Sequence, residues 1–395
     1  MKNNKKLIPE LRFPEFENEG EWEIKTLSGI CDITNGKANA QDHVDNGRYP
    51  LFDRSEVIKA SDEFIFDCEA VIIPGEGMRF IPKYYEGKFN LHQRAYALKD
   101  FSCSGQFVYY SMLHRSTLLS QKAVQSTVLS LRLPILQDFP IEIPKKPEEQ
   151  EKIASCLSSL DEVISAHSQK LELLKAHKKG LLQNLFPQED EKVPKLRFKE
   201  FEKDGEWKKT ILGKISSAIF DGTHQTPKYT EEGIPFFSVE NIVSGKKNKF
   251  ISREDYLEAT SKNKPEKGDI LITRIGNIGF STVVDWDYEF SIYVTLAVIK
   301  QSDIFISHYL NGYFQSDYYQ KEIRRKSLLN AAPMKINMNE LQKTKVLLPP
   351  TKSEQQKIAF CLSSLDELIL AQTEKIEQLK LHKKGLMQGL FPKNY

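Results

Sequence analysis

The chain is written twice, and that duplication constrains its fold more than any other feature. Residues 8–22 read Ile-Pro-Glu-Leu-Arg-Phe-Pro-Glu-Phe-Glu-Asn-Glu-Gly-Glu-Trp and return at 193–207 as Val-Pro-Lys-Leu-Arg-Phe-Lys-Glu-Phe-Glu-Lys-Asp-Gly-Glu-Trp. Residues 149–162, Glu-Gln-Glu-Lys-Ile-Ala-Ser-Cys-Leu-Ser-Ser-Leu-Asp-Glu, return almost unchanged at 354–367. The spans between these copies, 23–147 and 208–352, differ from each other. Two matched frames around two unmatched inserts predict one kind of job done twice, on two targets. At 395 residues the length alone asks for two or three domains. The repeat reduces that to two similar halves.

The second duplicated block opens a long amphipathic pattern. Apolar residues recur at 4-3 spacing through Ile153, Leu157, Leu160, Ile164, Leu171, Leu174, Leu181 and Leu185. The second copy runs Ile358, Leu362, Leu365, Ile369, Ile376, Leu379, Leu386 and Leu390. Such spacing over about five heptads, with no internal proline, predicts coiled-coil helices. Each starts after proline with acidic residues in its first turn and stops at Phe186-Pro187 or Phe391-Pro392. Both seams are broken at the same two places, His167/Gln372 and Lys178/Lys383. Polar seam residues set register and partner at some cost in stability. A metal or catalytic use of His167 is the weaker reading. The simplest arrangement pairs the two helices antiparallel, with the inserts at opposite ends. A helix of about 38 residues, on the order of 57 Å long, then acts as a spacer. Identity outside the seam (Ser158-Ser159, Asp161-Glu162, Lys178-Lys179-Gly180 and their copies) predicts that both helices also meet the same partner surface.

Composition excludes several classes. Hydrophobic content of 40% and charged content of 28% are those of a globular protein, and no apolar run approaches a membrane span. The N-terminal residues lack a signal-peptide apolar stretch. Five cysteines without a CxxC pair fit a reduced, cytoplasmic setting. Net charge is only +2, so the chain is no uniformly basic coat, although the second insert carries a positive excess. Lys246-Lys247-Asn248-Lys249, Lys262–Lys267 and Arg324-Arg325-Lys326 are local clusters that read equally well as solvated surface.

Both inserts predict mixed α/β folds. Ala70–Ile73 and Asp269–Thr273 are β-branched runs that end in glycine turns, Pro74–Gly77 and Arg274–Gly279, which suggests a shared fold. Tyr293–Ile299 predicts a further strand. Polar-aromatic loops at 78–94 and 221–229 mix donors, acceptors and rings suited to base edges and phosphates, although either could be plain turn. Catalytic signals are missing. The sequence contains no GxxxxGK[ST] loop, no HExxH and no His/Cys set at metal spacing. Leu348-Pro-Pro-Thr351 lacks both the Asn and the aromatic of an amino-methylation motif, and Gly75-Glu-Gly77 is an isolated GxG.

Taken in order, the doubled Leu-Arg-Phe-x-x-Phe…Gly-Glu-Trp, the doubled Glu-Gln-x-Lys-Ile-Ala…Leu-Ser-Ser-Leu-Asp and the doubled His-Lys-Lys-Gly-Leu…Phe-Pro resemble the specificity (S) subunit of type I restriction-modification systems. The likeness covers essentially the whole chain. Asp221-Gly-Thr-His-x-Thr-Pro-Lys-Tyr229 with Gly268-Asp-Ile-Leu271 is similar to one target-recognition subtype; the first insert matches a less distinctive one. The resemblance implies an α+β fold. Two similar mixed α/β target recognition domains are separated by two long antiparallel coiled-coil helices, with a pseudo-two-fold internal repeat. The expected divisions are 1–147 and 208–347 for the recognition domains, 148–187 and 348–395 for the spacer helices, and 188–207 for the linker that repeats the N-terminal lead-in.

The implied function is non-enzymatic. Each domain reads one half of a bipartite, asymmetric double-stranded DNA target, and the helices set the gap and dock two adenine-methylating modification subunits. S-adenosylmethionine belongs to those partners, and ATP and Mg to two restriction subunits whose presence the residues leave open. Side-chain chemistry nominates Arg79, His92, Gln93 and Arg94 for base contacts in the first domain. In the second it nominates Thr223, His224, Gln225, Lys228, Tyr229, Arg274 and Asn277. Arg54, Lys246, Lys247 and Lys249 are candidate phosphate contacts. Two other readings stand beside this one: a two-headed protein–protein scaffold, and a single-chain restriction-methylation enzyme.

Overall fold

The computed structural model describes residues 6–125 and 128–393. Contacts divide it into two compact units. One runs up to Ser168 and resumes at Glu374; the other is Gln169–Thr373. Each unit therefore holds one insert, the start of the long helix that follows it and the end of the other long helix. Among the described residues no helix is long and apolar enough to cross a membrane.

The long helices are Pro147–Asn184 and Lys352–Leu390. In the first unit Ile153, Leu157, Ile376 and Leu390 are buried, and Leu160, Ile164, Leu379 and Leu386 are partly covered. In the second Ile358, Leu362, Leu365 and Leu185 are buried, and Ile369, Leu171, Leu174 and Leu181 are partly covered. The segments run antiparallel within each unit. Lys383 Nζ lies 2.6 Å from Asp161 Oδ1 in the first, and Lys178 Nζ lies 2.6 Å from Asp366 Oδ1 in the second. Lys383 is the repeat counterpart of Lys178, and Asp366 that of Asp161. Each helix thus offers its lysine to the other helix's aspartate, an exchange that only an antiparallel pairing of equivalent helices allows. Asp161 is therefore part of the helix–helix contact and not spare identity outside it.

The duplicated lead-in segments fix where each long helix starts. Arg12 Nε and Nη2 donate to the two oxygens of Glu149, both at 2.8 Å, and Arg197 grips Glu354 identically at 2.8 Å. Both carboxylates are 1% exposed. The remaining Nη1 of each arginine donates to a glycine carbonyl, Gly20 at 2.7 Å or Gly205 at 2.8 Å. The next helix residue ties the start to its insert. Gln150 accepts the Ser104 N–H and donates to the Pro144 carbonyl; Gln355 accepts the Ile306 N–H and donates to the Ile304 carbonyl. The carboxylates also sit in the first helical turn, where the dipole favours negative charge. The lead-ins then cover the helix ends. Leu11 N–H donates to Gly389 O at 2.8 Å and Leu196 N–H to Asn184 O at 2.9 Å. Trp22 meets Phe391 edge-on at 6.1 Å, as Trp207 meets Phe186 at 6.3 Å.

The first insert contributes β1 (Glu23–Thr26), β2 (Asp32–Asn35), β3 (Tyr49–Phe52), β4 (Lys59–Ser61), β5 (Phe66–Pro74), β6 (Lys83–Leu91), β7 (Ala95–Lys99) and β8 (Pro140–Ile143). β1 pairs with β8, and the rest form a sheet in the order β2-β7-β5-β6-β3-β4. The second contributes β9 (Lys208–Ile211), β10 (Ile219–Asp221), β11 (Tyr229–Thr230), β12 (Ile234–Phe237), β13 (Phe250–Ile251), β14 (Ile270–Thr273), β15 (Ser281–Val283), β16 (Ser291–Ile292), β17 (Leu296–Ile299) and β18 (Lys345–Leu348). β9 pairs with β18; the others form the sheets β10-β17-β14-β15 and β11-β13-β12-β16. The expected single strand Tyr293–Ile299 is interrupted: β16 stops at Ile292 and β17 starts at Leu296. The break has a cause, because residues 293–295 bond to three different segments. Tyr293 N–H donates to Phe237 O, Val294 N–H to Thr223 O, and Thr295 O accepts from Arg274 N–H.

The same break occurs in the first insert with unrelated residues. His92 N–H donates to Phe52 O, Gln93 N–H to Ala38 O, and Arg94 O accepts from Gly75 N–H. Backbone bonding therefore equates His92 with Tyr293, Gln93 with Val294, Arg94 with Thr295, Ala38 with Thr223 and Gly75 with Arg274. Gly36 and Gly222 are equated too. A Cβ at Gly36 would lie 1.9 Å from Leu91 O, and one at Gly222 would lie 2.1 Å from Ile292 O, so no larger residue fits either place. The inserts share a fold that their sequences conceal.

Removing Arg12 would strand a buried carboxylate. Arg12→Ala is expected to cost about 3–5 kcal/mol, while replacing both partners by apolar residues (Arg12→Met with Glu149→Leu) costs less. Urea denaturation of the two variants checks this; equal losses in both would refute it.

Candidate functional site

Each unit opens a polar cleft, lined in the first by the broken strand itself and in the second by the 221–228 loop that bonds to it. In the first, Asn39, Gln41, Asp53, Arg54, Lys59, Glu76, His92, Gln93 and Arg94 line a volume of about 740 Å³. The fold brings four expected residues together here: Arg54, His92, Gln93 and Arg94. Arg79 lies in the adjoining cleft, which Arg54 also lines, with Ser55, Met78 and Lys83. His92 Nδ1 accepts the Arg94 N–H at 3.1 Å, which puts the imidazole proton on Nε2 and makes that atom a donor. Arg94 is exposed and pairs with Glu76 at 2.9 Å. Burial raises the pKa of the Asp53 carboxyl. The Lys59 ammonium at 2.7 Å and the Ser55 hydroxyl and N–H outweigh that and hold it below the usual carboxylate value.

In the second unit Asp221, Thr223, His224, Gln225 and Lys228 face Asp255, Glu258, Lys262 and Asn263 across about 640 Å³. His224 and Lys228 are exposed. His224 Nε2 lies 3.1 Å from Asp221 Oδ2, an oxygen that also accepts from Arg274 Nη1 at 2.7 Å. Arg274 is built into the frame. It is 8% exposed and donates to Asp221 and to the carbonyls of Val294 and Ile336. It holds the broken strand and the His224 loop in place. The first unit reaches the same end differently. Asn35 stands where Asp221 does, Gly75 stands where Arg274 does, and Asn35 Nδ2 donates to the Gln93 carbonyl at 3.3 Å.

The remaining expected residues lie apart from the cleft lining. Tyr229 is exposed on β11, with its ring 5.9 Å from Phe236 and Lys249 Nζ 5.9 Å from the ring centroid. Lys249 also pairs with Glu240 at 2.9 Å, which lowers that carboxyl's pKa. Lys247 Nζ stands 3.7 Å over the ring of Tyr288, and Lys246 is exposed beside it. Asn277 is exposed in the turn after β14. The basic 246–249 loop is held by a residue that was not foreseen. Buried Asn241 donates to Lys246 O at 3.1 Å and Asn248 Oδ1 at 2.8 Å while accepting from the Ser238 N–H and hydroxyl. Its only signal was Ser-x-x-Asn spacing at a helix start. Asn39 and Gln41 were also missed, because their loop shares no sequence with its counterpart at 223–229.

Comparison with known proteins gives one family. The type I restriction modification DNA specificity domain matches residues 19–176 and again 192–381. The MjaVIII specificity subunit of a type I restriction enzyme from Methanocaldococcus jannaschii is 24% identical, over 96% of this chain and 93% of that protein. The EcoDI specificity subunit from Escherichia coli is 28% identical, over 38% of this chain and only 34% of that protein. In fold, the chain is similar to the S subunit of a type I restriction-modification system from M. genitalium. The TM-score is 0.70 at 18% identity, covering 98% of this chain and all of the other.

The buried role of Arg274 has a direct consequence. Arg274→Ala leaves Asp221 and two carbonyls without their partner and is expected to cost about 3 kcal/mol or more. Arg274→Lys does not restore it, because an ammonium cannot span the fork. Asn277→Ala stays within about 0.5 kcal/mol. Thermal unfolding of the three variants separates scaffold from surface.

Proposed function

Because the chain belongs to the type I restriction-modification DNA specificity family, we propose that it reads a bipartite, asymmetric DNA target, one half with each unit. The paired long helices set the unspecified gap and dock two adenine methyltransferase subunits. Catalysis then resides in the partners: S-adenosylmethionine is held by the methyltransferases, and ATP and Mg²⁺ by restriction subunits where these join. The observation that carries the reading is the pair of polar clefts built on one backbone scheme with unrelated side chains. A common frame with variable donors and acceptors is what reading two different base sequences requires.

Two further features support it. Arg54 lines the first unit's cleft, and Lys246 and Lys247 stand exposed on a loop of the second unit, which suits phosphate contact accompanying base readout. Val163 and Leu368, at one repeat position on the two long helices, are 43% and 56% exposed. A matched apolar residue on each helix suits docking of two identical protein partners.

The test is the methylation pattern of the host genome with the chain in its native complex. One bipartite motif with a fixed gap is expected; methylation without such a motif would refute the reading. Lys246→Ala or Lys247→Ala is expected to weaken binding to specific and random duplexes alike. Each should also lower the salt slope by about one, as filter binding across salt concentrations would measure.

A further inference from the structure

The first unit's cleft holds an amide pair that joins its two walls. Gln93 Nε2 donates to Asn39 Oδ1 at 2.7 Å, and both residues are exposed to the cleft. Each end of the pair stands on a fixed backbone. Asn39 N–H donates to Asp42 Oδ2 at 2.7 Å, and its carbonyl accepts the Asp42 N–H at 3.1 Å. Gln93 N–H donates to Ala38 O at 2.9 Å, and its carbonyl accepts from Asn35 Nδ2 at 3.3 Å. An exposed glutamine ordinarily samples many rotamers, and a ligand must bear the cost of ordering it. Here one amide hydrogen is already committed, which sets the plane of the group. Its Oε1 and second N–H remain for a ligand, an acceptor and a donor side by side. That pair matches the N6 donor and N7 acceptor of adenine in the major groove. The neighbours do not compete for the same edge: Arg94 is paired with Glu76, and His92 offers only a donor.

Resting on the DNA-reading function above, we propose that Gln93, oriented by Asn39 as a positioning residue, reads an adenine in the half-site of the first unit. The second unit has no such device. Its equivalent of Gln93 is Val294, and its loop is tied instead by Thr226 Oγ1 to Tyr293 OH at 3.3 Å. The effect of losing the amide pair is therefore confined to one half of the target.

Methylated adenines are mapped genome-wide with the native complex carrying wild type, Gln93→Ala, Asn39→Ala or Asn39→Asp. Both alanine variants are expected to relax one adenine of one half-site, with discrimination there falling roughly 10- to 100-fold. The other half-site and the gap stay unchanged. Asn39→Asp keeps an acceptor for Gln93 and so keeps the adenine preference, an outcome that general damage to the loop would not give. The proposal is overturned if Gln93→Ala leaves every letter intact, if the relaxed letter is not adenine, or if Asn39→Asp behaves as Asn39→Ala. Loss of all methylation in both alanine variants, with the chain still assembled with its partners, overturns it too. Wild type giving no bipartite motif refutes instead the functional reading beneath it.

Discussion

The structure depends on two buried ion pairs, Arg12–Glu149 and Arg197–Glu354. A carboxylate 1% exposed is tolerable only when both its oxygens are satisfied, and a forked guanidinium does that in one contact. The pairing dictates the rest of the frame. It fixes each lead-in segment against the first turn of a long helix, and the neighbouring Gln150 or Gln355 then fixes that turn against its insert. A helix of 38 or 39 residues transmits any error at its start along its length, so a polar lock at the origin sets the register of the seam. This is why Leu-Arg-Phe…Gly-Glu-Trp and Glu-Gln-x-Lys-Ile-Ala recur together. They are two sides of one contact, separated by an insert of more than a hundred residues.

What was legible in the sequence follows from the range of the forces involved. The long helices are local objects whose period and proline stops are written within one segment, although the second starts at Lys352 and not at 348, because Leu348 ends β18 and two prolines follow it. The equivalence of the inserts was only hinted at by two glycine turns, because it resides in backbone bonds that no side chain encodes. Gly36 and Gly222 are the exception, since a close approach of the carbonyls excludes every other residue there. Of the residues that side-chain chemistry nominated, His92, Gln93 and Arg94 gather in one cleft. The burial of Arg274 was not legible, because nothing in the chain around it says whether a guanidinium faces out or is buried against an aspartate more than fifty positions away. Tyr293–Ile299 misled for the same reason: β-branched residues predict a strand, but long-range bonds to Phe237 and Thr223 interrupt it.

The two inserts also show how one scheme carries different surfaces. The second holds the carbonyl of Val294 with an Asp221–Arg274 pair; the first holds the carbonyl of Gln93 with Asn35 opposite Gly75. The substitutions compensate. An aspartate without its arginine would be a poorly paired charge, and a side chain at Gly75 would meet Arg94 O at 2.6 Å. Supporting positions thus change in pairs while the backbone stays put. Positions beyond them, such as His224, are tied to the frame by a single side-chain bond and can change singly.

The identity between the long helices divides along similar lines. Asp161, Asp366, Lys178 and Lys383 are accounted for inside the chain by the reciprocal pairs across the seam. Glu149, Gln150 and their copies are accounted for by the locks at the helix starts. Ser158-Ser159, Glu162 and Lys179-Gly180, each repeated, have no such reciprocal role, and Val163 and Leu368 leave apolar area uncovered beside them. Internal packing asks for identity only where the two helices touch. Identity at exposed positions such as Glu162 and Glu367, or Lys179 and Lys384, is not explained by that contact.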